Sequence, residues 1–306
     1  MAKRRRPRSL NLPDLLESWE LHLRAERKSP STVKSYTEGV RTFLRWCDET
    51  GQPAQIDRDL LKLFTVNLLD AGAKPATAVS RHLAIRRFSA WLVDEGELDV
   101  DPLLGVKAPK IDSPVVEPLT DDELRAMLRA CRGSDMRDLR DTAIITFMFT
   151  SGARAGEVAA LQLNDVHARE NPPYVIVRRG KGGKGRTVPL TPEAAVAIER
   201  YVRKGRRGHL LAGSGALWLG DRGKPFSYDG LHKTLRWRAE LAGVQGFHPH
   251  RLRHTAAHRW LEKGGSEGGL MAVAGWSRPE MLMRYTRARA SERAAEEARR
   301  LDLGAL

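Results

Sequence analysis

Cysteine is nearly absent: the 306 residues hold two, Cys47 and Cys131, 84 positions apart (131 − 47). That separation suits neither a metal-ligand pair nor a redox pair, so both read as reduced packing residues. Long apolar runs are missing as well, and no stretch approaches the length that spans a membrane. The basic start, Lys3 to Arg8, is followed by Leu10 to Leu16, which Pro13 and Asp14 interrupt. This is no signal-peptide core, and the protein is expected to stay in the cytoplasm. There is no internal repeat, and no low-complexity tract beyond the first eight residues. Acidic residues are in the minority, 38 against 52 Lys and Arg, leaving a net charge of +14. A surplus of that size favours a polyanionic partner without specifying a fold. With 41% hydrophobic and 29% charged residues the chain is globular, and its length suits about two domains.

The first hundred residues read as helices. Ser29-Pro30 is a cap followed by proline at the first helical position. Behind it Val33, Tyr36, Val40, Phe43 and Leu44 fall on one face. A second stripe, Leu60, Leu61, Phe64, Leu68 and Leu69, has Asp57 as its cap, and a third runs through Ala84, Ile85, Phe88, Trp91 and Leu92. Lys34, Arg41, Arg81, Arg86 and Arg87 lie between these stripes, where they suit phosphate contacts or simply solvation. Pro102, Pro109, Pro114 and Pro118 then punctuate residues 101–119, the expected linker between a domain over 10–100 and a second over 120–306. Thr120 to Glu123 is a capping box, and Ala143 to Phe149 is apolar enough for a buried helix. Two β-prone runs, Tyr174 to Arg178 and Thr187 to Leu190, flank the glycine-rich Gly180 to Gly185 and predict a hairpin.

The second half carries a series of phosphate-binding residue types. Arg154 stands in Ser-Gly-Ala-Arg, between the buried helix and a helix expected from Ala155 to Leu161. A helix start favours anions, and arginine offers a planar fork for phosphate oxygens. Glu157 lies one turn on, placed to hold that guanidinium. Lys181 sits at the tip of the predicted hairpin as a possible proton donor; Lys184 competes for the role, and either reads equally as a solvated turn lysine. His250 and Arg253 are three apart (253 − 250) and share a helical face. His250, His254 and His258 recur every fourth residue, but the glutamate of the zinc-protease pattern is missing, and His254 reads as a buried structural histidine. Trp276 offers an N–H donor, and Tyr285, nine residues on (285 − 276), is a candidate nucleophile. A free tyrosine, with a pKa of about 10, needs an oriented phosphate and a proton acceptor.

From Ser29 to the tail the chain resembles the tyrosine recombinase or phage integrase family, which includes the Xer and Cre-like enzymes. The resemblance rests on the ordered set Arg154, Lys181, His250, Arg253, Trp276 and Tyr285. Most integrases carry histidine where this chain has Trp276; the Cre-like branch has tryptophan. The resemblance implies a mainly α fold, with a helical, SAM-like core-binding domain and a mostly helical catalytic domain with a small β-hairpin or sheet. Together these would form a C-shaped clamp on double-stranded DNA.

The family's chemistry assigns Tyr285 the attack on phosphorus and Lys181 the protonation of the leaving 5′ oxygen. Arg154, Arg253, His250 and Trp276 would surround the phosphate, with His250 also accepting the tyrosine proton. No cofactor and no metal are implied. The expected partners are inverted-repeat core sites, a homo-tetramer on two DNA sites joined by exchange of the tail from Ala288 to Leu306, and a directionality factor or second recombinase. The helices begin almost at once, which is expected to leave no room for an arm-site domain. Two other functions share part of this pattern: DNA relaxation by a type IB topoisomerase, and a DNA-binding regulator without catalysis.

Overall fold

A computed structural model describes residues 10–110, 116–178 and 185–278, together with Leu282. The chain divides into two compact units, Met1–Pro114 and Val115–Leu306.

Among the described residues the first unit is four helices: α1 (Leu12–Ala25), α2 (Pro30–Thr50), α3 (Arg58–Asp70) and α4 (Pro75–Asp94). Local chemistry starts two of them. The Ser29 hydroxyl accepts from the Thr32 N–H with Pro30 in the first turn, and the Asp57 carboxylate accepts from Asp59 and Leu60. Helices α2 and α4 pack closely because Gly39 has no side chain; a Cβ there would lie 2.4 Å from that of Ala84. Two apolar groups form the interior. One joins Trp19, Val40, Phe88 and Trp91, and the other joins Phe43, Phe64 and Ile85 with Leu103 and Val106. The proline-punctuated stretch is therefore anchored in this unit as far as Val106. Leu69, counted in the apolar stripe of α3, is 36% exposed at the end of that helix.

The second unit opens with α5 (Asp121–Arg129), capped by the reciprocal Thr120–Glu123 bonds. Its centre is α6 (Met136–Ser151), where Ala143, Ile144, Ile145, Phe147 and Met148 are all buried. Then follow α7 (Ala155–Ala159), shorter than the sequence suggests, and a three-stranded antiparallel sheet of β1 (Val166–His167), β2 (Tyr174–Val177) and β3 (Arg186–Pro189). Val175 pairs with Val188, and both turn into the core. Strand β1 is too short to alternate visibly in sequence. After α8 (Pro192–Arg200) comes a wider π-helical turn at Tyr201–Arg206, and α9 (Tyr228–Leu241), α10 (His250–Glu262) and α11 (Glu267–Ala274) follow.

A buried carboxylate ties the centre of this unit together. Asp141 of α6 accepts from Arg140 at 2.9 Å and from Arg238 of α9 at 2.7 Å. Arg140 also donates to the Leu219 carbonyl and Arg238 to that of Ala130. Two guanidiniums around one carboxylate satisfy charges that would be costly alone in the interior. Among the described residues no helix is long and apolar enough to cross a membrane.

Candidate active site

Helix α6 ends on Gly152, whose φ of 65° is the left-handed conformation that glycine adopts without strain. The chain reverses there and presents Arg154 immediately before α7. The Gly152 carbonyl accepts from Arg253 on α10, so the turn is fixed by the second arginine of the motif. Arg253 is only 2% exposed, and its guanidinium carbon lies 5.1 Å from the ring centre of Trp276. Trp276 itself is buried among Ala257, Leu261, Leu270 and Leu282 and forms a wall behind that guanidinium.

Arg154 is held by protein acceptors on two sides. One terminal nitrogen donates to Glu157 at 2.9 Å, and the other donates to the Gly275 carbonyl at 2.7 Å. Glu157 is thus placed as its position one turn along α7 suggests. It also has a second partner that the motif does not contain: Arg186 of β3 donates to both carboxylate oxygens, at 2.9 and 2.8 Å. Burial alone would raise the Glu157 pKa, but the bonds from Arg186 and from the Arg154 backbone outweigh it and hold the group down at about 2.

Arg154, Glu157, His250 and Arg253 line one cleft of about 580 Å³. Tyr228, His232 and His248 complete its far wall, contributed by α9 and by the segment that enters α10. None of these three stands in a recognisable spacing in the sequence. The His250 ring meets that of His254 edge-on at 4.8 Å and stacks against His248 at 6.5 Å. Among the described residues no group of three His, Cys, Asp or Glu is placed to hold a metal ion. The two remaining members of the series, Lys181 and Tyr285, lie outside the described residues, as does the tail from Ala288 to Leu306.

His254 is buried as expected, and its pKa falls to about 3, first through burial and then through the charges of His250, His248, His258 and Arg253. The unfolded chain takes up this proton near pH 6.5 while the folded chain refuses it. Stability from His254 is therefore complete above about pH 6.5 and declines as the pH falls toward 3, by about 2 kcal/mol between pH 6.5 and 5. Urea titrations over that interval are expected to show the loss, and His254→Gln is expected to flatten it. An unchanged slope in the variant would mean that another group carries the pH dependence.

Lys34 and Arg41 of α2 line a cleft of about 510 Å³ with Arg24 and Lys28, which the sequence reading did not select. Arg41 is partly occupied by Glu20 at 2.9 Å and Thr37 at 3.2 Å. Arg81 is half-buried and reaches the Ser35 carbonyl at 3.4 Å, Arg86 is half-buried on α4, and Arg87 is exposed there.

Comparison with known proteins gives this arrangement a family. Residues 117–292 match the phage integrase family, and residues 16–96 match the SAM-like N-terminal domain of phage integrases. Tyrosine recombinase XerC 2 of Ralstonia nicotianae is 30% identical over 268 residues, covering 84% of this chain and 77% of the relative. The crystal structure of XerA recombinase superposes with a TM-score of 0.51 at 25% identity, covering 90% of this chain and 93% of that one. A lambda integrase tetramer bound to a Holliday junction shares the fold, with a TM-score of 0.69 at 18% identity over 91% of this chain and 78% of that one. The mainly helical architecture with its small sheet is the integrase fold. The chain belongs to the phage integrase family and is a tyrosine-type recombinase acting in site-specific DNA recombination.

Proposed function

We propose that this recombinase cleaves and rejoins duplex DNA through a 3′-phosphotyrosyl link on Tyr285. The observation that carries the reading is the convergence of Arg154, His250 and Arg253 on one cleft, with Trp276 behind Arg253. Donors fixed before the reaction stabilise charge that develops only in the transition state, usually the largest catalytic contribution. Arg154, Arg253, His250 and Trp276 contact the non-bridging oxygens of the scissile phosphate. The Tyr285 phenolate oxygen attacks phosphorus, and the bond from phosphorus to the 5′ oxygen breaks. Lys181 gives its proton to that oxygen, and His250 takes the phenolic proton. The new ester retains the phosphodiester bond energy, so a 5′ hydroxyl from a partner strand reverses the step without ATP.

The domain over residues 10–100 supplies further phosphate contacts through Lys34, Arg41, Arg81, Arg86 and Arg87, and residues 120–306 carry the chemistry. Both act in the cytoplasm on inverted-repeat core sites. Four copies assemble on two sites, in keeping with the lambda integrase tetramer on a Holliday junction, and exchange the tail from Ala288 to Leu306. A directionality factor or second recombinase completes the partners. Integration and excision of a mobile element, and resolution of chromosome or plasmid dimers, both use this reaction.

The test is covalent trapping in the host cell. Adducts from wild type and Tyr285→Phe are recovered under denaturing conditions and their attached 3′ ends sequenced. Adducts at one inverted-repeat site, absent from the variant, are the expected result, and the site's location separates the two biological roles. Scattered adducts indicate a topoisomerase, and none from the wild type indicates a binding regulator.

A further inference from the structure

Arg186 is absent from the expected catalytic set, yet it joins three parts of the second unit. It stands at the start of β3, five residues after Lys181 (186 − 181). Its two terminal nitrogens donate to the two oxygens of Glu157 on α7, and its Nε donates to the Val273 carbonyl on α11 at 2.8 Å. The guanidinium also lies beneath the turn that leaves α11. A Cβ on Gly275, whose φ is 64°, would fall 2.8 Å from the guanidinium carbon. Arg154 in turn donates to the Gly275 carbonyl. The residues that lead into Trp276 are therefore gripped by two arginines that share one carboxylate.

This geometry orders the parts around the cleft. Glu157 is 7% exposed, and a carboxylate so buried needs the four N–H bonds it receives, two from Arg154 and two from Arg186. Without Arg186 the carboxylate loses half of them and is free to turn, taking Arg154 with it. Residues 273–275 lose the bond that anchors them to β3. Lysine cannot replace the joint, because a single nitrogen does not reach three acceptors held in a planar fork.

We propose that Arg186 is a positioning residue for strand cleavage. It acts through Glu157, Val273 and Gly275. It sets Arg154 through Glu157, sets the approach to Trp276 through Val273 and Gly275, and joins both to the strand that follows Lys181. The proposal rests on the catalytic reading given above.

Two measurements on the full-length chain test it. The first is hydrogen–deuterium exchange over residues 266–276, without DNA, for Arg186→Met, Arg186→Lys and Gly275→Ala. The second compares covalent adducts in the host cell with the affinity of each purified variant for a mixed-sequence duplex. Arg186→Met is expected to exchange faster at 273–276 and to lose adducts about 10²-fold, the usual cost of misplaced reacting groups. Duplex affinity is expected to stay near wild type, melting temperature to fall because buried Glu157 loses two of its four bonds, and Arg186→Lys to lie between. Gly275→Ala pushes a methyl group against the guanidinium while keeping the charge, and is expected to repeat the defect if Arg186→Met fails to fold. Unchanged exchange at 273–276 overturns the proposal, as do adducts close to the wild-type yield. A duplex affinity that falls in proportion to cleavage overturns it too, since it assigns Arg186 a purely structural role. If wild type gives no Tyr285-dependent adduct, the catalytic reading fails, and the exchange data still decide whether Arg186 holds this segment.

Discussion

Arg253→Ala is expected to reduce strand cleavage by about 10³-fold while leaving a folded, DNA-binding protein. Removing a single preorganised donor from a charged transition state costs about 10² to 10³ in rate. Arg253 supplies such a donor and also supports its neighbours, since it bonds the Gly152 carbonyl and packs on Trp276. Its loss leaves that carbonyl without the arginine inside the unit, an expense of about 1–3 kcal/mol in stability. Arg253→Lys keeps a charge but not the fork, and is expected to recover stability better than rate. Single-turnover cleavage of the site found by trapping, together with urea unfolding, reads both effects. A rate within tenfold of wild type for Arg253→Ala would remove Arg253 from the transition-state contacts.

Glu157→Ala is expected to have the largest effect on stability. The carboxylate is buried between Arg154 and Arg186, and removing one member of a buried ion pair costs about 3–5 kcal/mol because the opposite charge is left uncompensated. Here two guanidiniums lose one partner. The pH dependence gives an independent signature. With its pKa held at about 2 against an ordinary 4.5, Glu157 contributes stability that is complete above pH 4.5 and is lost as the pH falls toward 2. In Glu157→Gln that acid window is expected to vanish, while the separate decline from His254, which begins near pH 6.5, persists. Urea midpoints for the two variants between pH 2.5 and 7 read both. An unchanged acid slope in Glu157→Gln would mean that the carboxylate is not the buried hub of the site.

What could be read in the sequence was mostly short-range. The caps at Ser29, Asp57 and Thr120 each act within three residues, so their partners are visible without the fold. The pairing of Arg154 with Glu157 is one helical turn and was equally legible. The hairpin strands were recognisable from their β-branched residues, though Arg186 fell one position outside the expected run. That single position hid an arginine that joins β3 to α7 and α11. Its partners are 29 residues upstream and 87 residues downstream, and no local spacing signals either. Tyr228, His232 and His248 stayed hidden for the same reason: the packing of α9 against α7 and the segment that enters α10 give them their place, not a motif. The lysine-and-arginine cleft of the first unit shows the converse. Basic residues were grouped by charge in the sequence, whereas the fold places Lys34 and Arg41 with Arg24 and Lys28 and leaves Arg81 reaching Ser35.

The central claim is that Tyr285 is the nucleophile served by the Arg154, His250 and Arg253 cleft. The most direct measurement is mass spectrometry of the trapped adduct after nuclease and trypsin digestion. The account predicts nucleotide mass on the tryptic peptide 285–287, joined through the 3′ phosphate to Tyr285. Nucleotide on any other residue, or adducts that persist at wild-type yield in Tyr285→Phe, would contradict it.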